Sequence, residues 1–255
     1  MAKISTGLDY AWAPHPDETK LKGLGYNFVS RYLSWLPNGK VITSAERQKL
    51  HQNGISISLN WEYDIDDAQG GASNGTKMAN EAVKQAQALG YPKGCTLYFS
   101  VDQDTTASGA VKDYLAAARS IVRASGYRMG AYGGYRLIKS AFDQGLIDDG
   151  WQTYAWSGGQ WDPRAGMRQV KNGVNVMGAD CDLNEQHGAI SIWWPGRPNT
   201  RLDGSPIGSP PAPSPTPTPA PGPPSSYNQA FNAGYNASFN QGFQSGYRAG
   251  WKARG

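Results

Sequence analysis

The stretch YFSVDQD, residues 98–104, ends an apolar, aromatic run in two aspartates one residue apart. Read as the end of a strand over 95–104, it sends Leu97, Phe99 and Val101 to one face and Tyr98, Ser100, Asp102 and Asp104 to the other, because successive side chains alternate across a strand. The segment ISISLNWEY (55–63) divides in the same way, with Ile55, Ile57, Leu59 and Trp61 opposite Ser56, Ser58, Asn60 and Glu62. In VNVMGADCDLNE (174–185), Met177, Ala179, Cys181 and Leu183 oppose Asp180 and Asp182. Each strand thus has one face fit for packing on helices and one polar face closing in an acid.

Further strand-like segments lie at 4–11, 26–33, 129–135, 151–157 and 167–170. Helical segments fall between the earlier ones. Thr43 with Glu46 forms a capping box ahead of one helix, and Gly54, Gly90 and Gly126 follow three helices as stops. Helix and strand in alternation predict parallel strands joined by crossovers. After residue 145 the gaps become too short for full helices, and KNG at 171–173 carries a hairpin signal. The expected fold is an α/β modified TIM-type barrel, about five βα units followed by three strands. It occupies residues 1–195. A proline-rich linker follows at 196–225, with ten prolines between 206 and 224, and then a tail at 226–255.

In such a barrel the apolar faces meet helices and the polar faces line the interior and its mouth. Asp9, Glu62, Asp102, Asp104 and Asp182 are therefore expected at one rim, with Asp180 a layer deeper. Crowded carboxylates do not all ionise freely, so some hold a proton at neutral pH. An un-ionised carboxyl beside an ionised one is the arrangement for cleaving a glycosidic bond. Asp102 and Asp104 are ~6.6 Å apart along an extended strand, which does not separate retaining from inverting chemistry. Singly, each acid has a plain structural reading, and Glu62 would be a salt-bridge partner of Arg31. Trp12, Trp35, Trp61, Tyr63, Tyr135, Trp156 and Trp161 fall at or just past strand ends, where flat rings suit the faces of sugars. Trp61 and Trp151 are assigned to the core, and Trp156 and Trp161 to the glycine-rich loop YAWSGGQW.

Net charge is +4, of which the tail supplies +3 through Arg248, Lys252 and Arg254, so the main domain is nearly neutral and carries no nucleic-acid footprint. No apolar run is long enough to span a bilayer. Cys95 and Cys181 show neither metal spacing nor a disulfide framework and read as buried thiols. His15, His51 and His187 are scattered, so no metal site and no cofactor is expected, an all-carboxylate cation site remaining open. The start, MAKISTGLDYAW, lacks an apolar signal region. A chain made in the cytoplasm without a signal peptide is expected, reaching a cell wall by phage lysis, virion packaging or injection.

GLDYA, LNWE, YFSVDQD, GAYGGY, YAWSGGQW, RQVKNG and DCDLNE, in that order, closely resemble the glycoside-hydrolase-like domain of actinobacteria and their phages. That domain is in turn similar to the family 25 glycoside hydrolases, lysozymes acting on peptidoglycan. The resemblance covers about residues 4–190 and implies a barrel of five βα units and three strands. It matches Asp9 to the family's first-strand aspartate, Asp102 and Asp104 to an Asp-x-Glu pair, Tyr132 to the fifth-strand tyrosine and Asp182 to the last-strand aspartate. It implies a lysin-like peptidoglycan hydrolase. With the rim and aromatic readings above, the expected catalytic set is Asp9, Glu62, Asp102, Asp104 and Asp182, and Arg31, Tyr132, Trp156, Trp161 and Gln169 are expected to bind substrate. Asp104 stands where the lysozymes have the acidic Glu. Asp104 or Glu62 takes the acid role, or the domain binds glycan without cutting it, tethered to a phage particle or other assembly.

Residues 226–251 repeat a small residue, an aromatic and two others seven times, from Tyr227 to Trp251. Small residues four apart let helices approach closely, so self-association or docking to a protein assembly is expected of the tail.

Overall fold

A computed structural model of the chain describes residues 2–36 and 39–196. The linker from residue 197 and the repeat tail, with the docking expected of it, lie outside the described residues.

Eight strands close a barrel in sequence order, β1 Ser5–Asp9, β2 Phe28–Leu33, β3 Ser56–Trp61, β4 Thr96–Ser100, β5 Arg128–Gly133, β6 Asp149–Thr153, β7 Met167–Val176 and β8 Ala179–Gln186. The strands β1 to β7 run parallel, and β8 returns antiparallel to both β7 and β1. Helices follow β2 to β5: α1 Ser44–Gln52, α2 Gly71–Leu89, α3 Gly109–Ala124 and α4 Tyr135–Asp143. The expected α/β barrel is thus the observed one. The connection from β1 to β2 holds turns where a helix would complete the first unit, and α4 begins inside the stretch read as strand.

Local chemistry places the helix ends. The Thr43 hydroxyl accepts from the Glu46 amide at 3.1 Å and caps α1. The Glu46 carboxylate does not complete a capping box, because it is drawn to Arg31 instead. Gly90, at φ 77°, ends α2 in the left-handed conformation that a side chain would resist. The helices and the outer barrel face enclose the main core, which includes Leu33, Leu59, Trp61, Leu97, Phe99 and Leu115.

The barrel interior is not polar throughout. Phe28, Tyr98, Tyr132, Trp151, Met167, Ile190 and Ile192 pack as a second cluster that fills it below the mouth. Two of these rings lie over glycines: a Cβ on Gly7 would stand 2.5 Å from the Phe28 ring, and one on Gly130 2.5 Å from the Tyr98 ring. The base is closed by the segment after β8. Ser191 O accepts from Thr96 N at 2.7 Å, and Trp193 exchanges two 2.9 Å backbone hydrogen bonds with Ile57, wedging between the starts of β3 and β4.

The KNG hairpin is a correction. The chain reverses at Met177–Gly178, both with positive φ (54° and 87°), as a two-residue hairpin turn requires. Asn172 and Gly173 lie inside β7, where the register against β8 shifts between Gln169 and Val174. Asp180 is also displaced. Because β8 is antiparallel, the residues before Asp182 lead out past the rim, and Asp180 is exposed there.

Candidate active site

The C-terminal ends of β1 to β6 meet at one mouth, and β8 arrives there from the opposite direction. Asp9, the last residue of β1, is paired in register with Asp182 of β8. Two like charges directly opposite on neighbouring strands repel. The side chain of Gln169, on β7, lies between them. Its Nε2 donates to Asp9 Oδ2 at 3.1 Å and to Asp182 Oδ2 at 3.0 Å, while its Oε1 accepts from Tyr132 Oη at 2.8 Å and Thr153 Oγ1 at 2.9 Å. All four hydrogen-bonding capacities of that amide are used, so Gln169 is a positioning residue and its expected substrate contact is corrected. Asp9 also accepts from Tyr32 Oη at 2.8 Å and Asn184 Nδ2 at 2.7 Å, and Asp182 from the Gly173 amide at 2.9 Å. The β7 irregularity thus aims a backbone N–H at the site.

Both carboxyls are pushed upward, first by burial. The neighbouring carboxylate adds to the effect for Asp182, whereas the three side-chain donors on Asp9 hold it back. The pair retains a proton near neutral pH as a unit. Asp102, just past β4, is raised to about 7, by burial first and then by the charge of Glu62. Its carboxyl is partly buried and accepts no hydrogen bond among the described residues. Glu62, just past β3, forms an ion pair with the buried Lys40 at 2.6 Å and accepts from Ser100 Oγ at 2.9 Å. Asn60 Nδ2 in turn donates to Ser100 Oγ at 2.8 Å.

Asp104 does not reach this cluster. The strand ends at Ser100 and the chain bends at residues 103 and 104, so the two-residue alternation lapses after Asp102. Asp104 is exposed and pairs with Arg136 at 2.8 Å. Arg31 is also corrected. It lies on the outer face of β2, fully buried, bonded to Glu46 at 2.6 Å and to the carbonyls of Tyr10, Gly39 and Lys40. The cation that meets Glu62 is Lys40. Tyr132 faces the mouth, but its hydroxyl is committed to Gln169. Trp156 lies in the glycine-rich loop as assigned but is buried at 7% exposure with φ 55°, so packing accounts for it after all, while Trp161 is partly exposed with the Arg168 guanidinium 4.9 Å over its ring. Trp61 and Trp151 are buried, as assigned, and both cysteines are buried free thiols.

Sequence reasoning did not single out Tyr32, Asn184 or Lys40. Tyr32 shares its face with Phe28 and Ser30, and Asn184 follows Asp182 by two, so alternation could have found both. Lys40 comes from an irregular connection with no period to read.

A family model, that of the Rv2525c-like, glycoside hydrolase-like domain, matches residues 19–186. The candidate peptidoglycan hydrolase Rv2525c of Mycobacterium tuberculosis (strain ATCC 25618 / H37Rv) is 28% identical over 198 residues, 71% of this chain and 80% of that protein. The crystal structure of the Tat-secreted Rv2525c with L-tartrate is similar at a TM-score of 0.69 and 26% identity, covering 74% of this chain and 99% of that one. A family 25 glycosyl hydrolase from Bacillus anthracis shares the fold at a TM-score of 0.52 and 13% identity, over 73% of this chain and 90% of that one. The Tat secretion of the mycobacterial protein overturns the expectation of a chain without a signal peptide, delivered by lysis or injection.

Proposed function

Because the chain belongs to the family of Rv2525c-like, glycoside hydrolase-like domains, we propose that it cleaves the glycan of bacterial cell-wall peptidoglycan at the mouth formed by Asp9, Glu62, Asp102 and Asp182. The substrate follows the mycobacterial relative, described as a candidate peptidoglycan hydrolase. The observation that carries the chemistry is Asp102, a carboxyl raised to about 7, without a hydrogen-bond partner among the described residues and beside Glu62. A group so placed holds its proton at neutral pH and gives it to the glycosidic oxygen as the bond to the anomeric carbon breaks. Glu62, anchored by Lys40 and Ser100, faces the positive charge that develops on the sugar. Water supplies the hydroxyl that ends on the anomeric carbon, and its spare proton restores the acid. Asp9 and Asp182, fixed by Gln169, orient the sugar through the proton they share.

The position of Asp104 favours a second reading, glycan binding without cleavage, since the residue aligned with the lysozyme acid stands outside the mouth. Release of reducing ends from purified peptidoglycan separates the two. The hydrolase reading expects release by the unaltered chain, a loss of 100-fold or more in Asp102→Asn, and little change in Asp104→Asn. Binding of the polymer with no release would leave the second reading standing.

A further inference from the structure

Beside the mouth lies an open cavity of ≈ 590 Å³, lined by Trp35, Tyr63, Lys77, Asn80, Glu81 and Lys84. Its two aromatic walls come two residues past β2 and two past β3. Its polar wall is one face of α2, at the i, i+3, i+4, i+7 spacing. Tyr63 directly follows Glu62, so one wall of the cavity and one member of the acidic cluster come from consecutive residues at the same end of the barrel.

The walls are held in place from behind. Gln85 on α2 donates from Nε2 to Ser34 O at 2.9 Å and accepts at Oε1 from Ser34 N at 3.2 Å, which ties the residue before Trp35 to the helix. Asp67 Oδ2 accepts from the Tyr63 amide at 3.0 Å. The Trp35 ring meets Trp61 and Tyr63 edge-on, with centroids 4.8 and 5.0 Å away. Yet Trp35 and Tyr63 remain partly exposed, so core packing does not use all of their surface. The charges are unbalanced. Lys84 pairs with Glu81 at 3.6 Å, whereas the exposed Lys77 lies 4.8 Å over the Trp35 ring and meets no carboxylate among the described residues. A cation on a flexible stem, beside rigid aromatic walls, is a receptor for a ring that carries an acid.

We propose that this cavity is a second glycan subsite, taking an anionic amino sugar of the same strand whose scissile bond lies in the mouth. The sugar packs against Trp35 and Tyr63, Asn80 bonds its hydroxyl or acetamido group, and Lys77 lifts from the ring to meet a carboxylate on the lactyl ether or stem peptide. The identity of the strand rests on the peptidoglycan reading above; the preference for a charged sugar is tested apart from cleavage.

The test is calorimetric titration of the full chain carrying Asp102→Asn, to prevent turnover, with two probes. One is the tetrasaccharide of alternating N-acetylglucosamine and N-acetylmuramic acid with free lactyl carboxylates. The other is chitotetraose, which has the same backbone and no carboxylate. The charged probe is expected to bind about fivefold more tightly. Lys77→Ala removes that margin and leaves chitotetraose binding unchanged, and Lys77→Arg keeps it. Equal affinity for the two probes, no binding of either, or a margin that survives Lys77→Ala overturns the proposal. A chain that shows the margin but releases no reducing ends when Asp102 is intact keeps the subsite and loses the hydrolase reading. Release without the margin does the reverse.

Discussion

Asp102 and Asp104 stand two residues apart and meet opposite fates. One points its carboxyl into a crowded mouth and the other answers Arg136 on the surface. The acid role proposed for Asp102 requires its proton, so the proposed peptidoglycan cleavage is expected to fall as pH rises through about 7, and a pH–rate profile checks this. Stability carries the same group of charges with a definite sign. Asp182 is raised well above an unfolded carboxyl, so the folded state binds more protons than the unfolded one between about pH 4 and 8, and stability falls as pH rises across that window. The half-buried His51, lowered to about 4, acts oppositely below its unfolded value of 6.5. The comparison with Asp182→Asn isolates the carboxyl: the variant's melting temperature should exceed that of the unaltered chain by about 2–4 °C or more at pH 8, with the gap narrowing as pH falls toward about 4. At this scale, alternation made Asp9, Glu62 and Asp182 legible. It misled at Asp104, because a period of two holds only while the strand lasts.

The β7–β8 hairpin shows how an element can be foreseen and its turn still misplaced. Asn-Gly at 172–173 and Met-Gly at 177–178 both supply a glycine, and local preference favours the first. Register against β1 decides for the second, since Asp182 must lie opposite Asp9 and Gln186 opposite Ser5. The passed-over pair becomes the irregularity that presents the Gly173 amide to Asp182. Helix packing has a similarly sharp requirement at Gly75 of α2. A Cβ there would stand 2.3 Å from the backbone carbonyl oxygen of Tyr114 on α3, and a backbone atom cannot swing aside. Gly75→Ala should therefore force the helices apart and cost about 1–3 kcal/mol in urea denaturation, although alanine is the better helix former.

For the whole molecule, the eight-strand barrel could be read from the rhythm of the sequence, and the stopper at its base could not. Ile190, Ile192 and Trp193 have no strand or helix pattern; their place follows from a gap between β3 and β4 that exists only once the barrel has closed. Trp193 meets His51 and Tyr91 edge-on, with centroids 4.5 and 5.8 Å away, and lies under the Arg47 guanidinium. Trp193→Ala should cost about 3–5 kcal/mol in chemical denaturation while leaving KM for soluble glycan unchanged below the melting temperature.

The reversed direction of β8 has a practical consequence. β1 sets out from the base, and β8 comes back down to it, so Ile4 and Trp193 both hydrogen-bond at that pole. Beads or surfaces coupled at Ala2 or Gly196 would hold the barrel by its floor, with the acidic mouth turned outward, and on the hydrolase reading an immobilised preparation should still attack an insoluble sacculus.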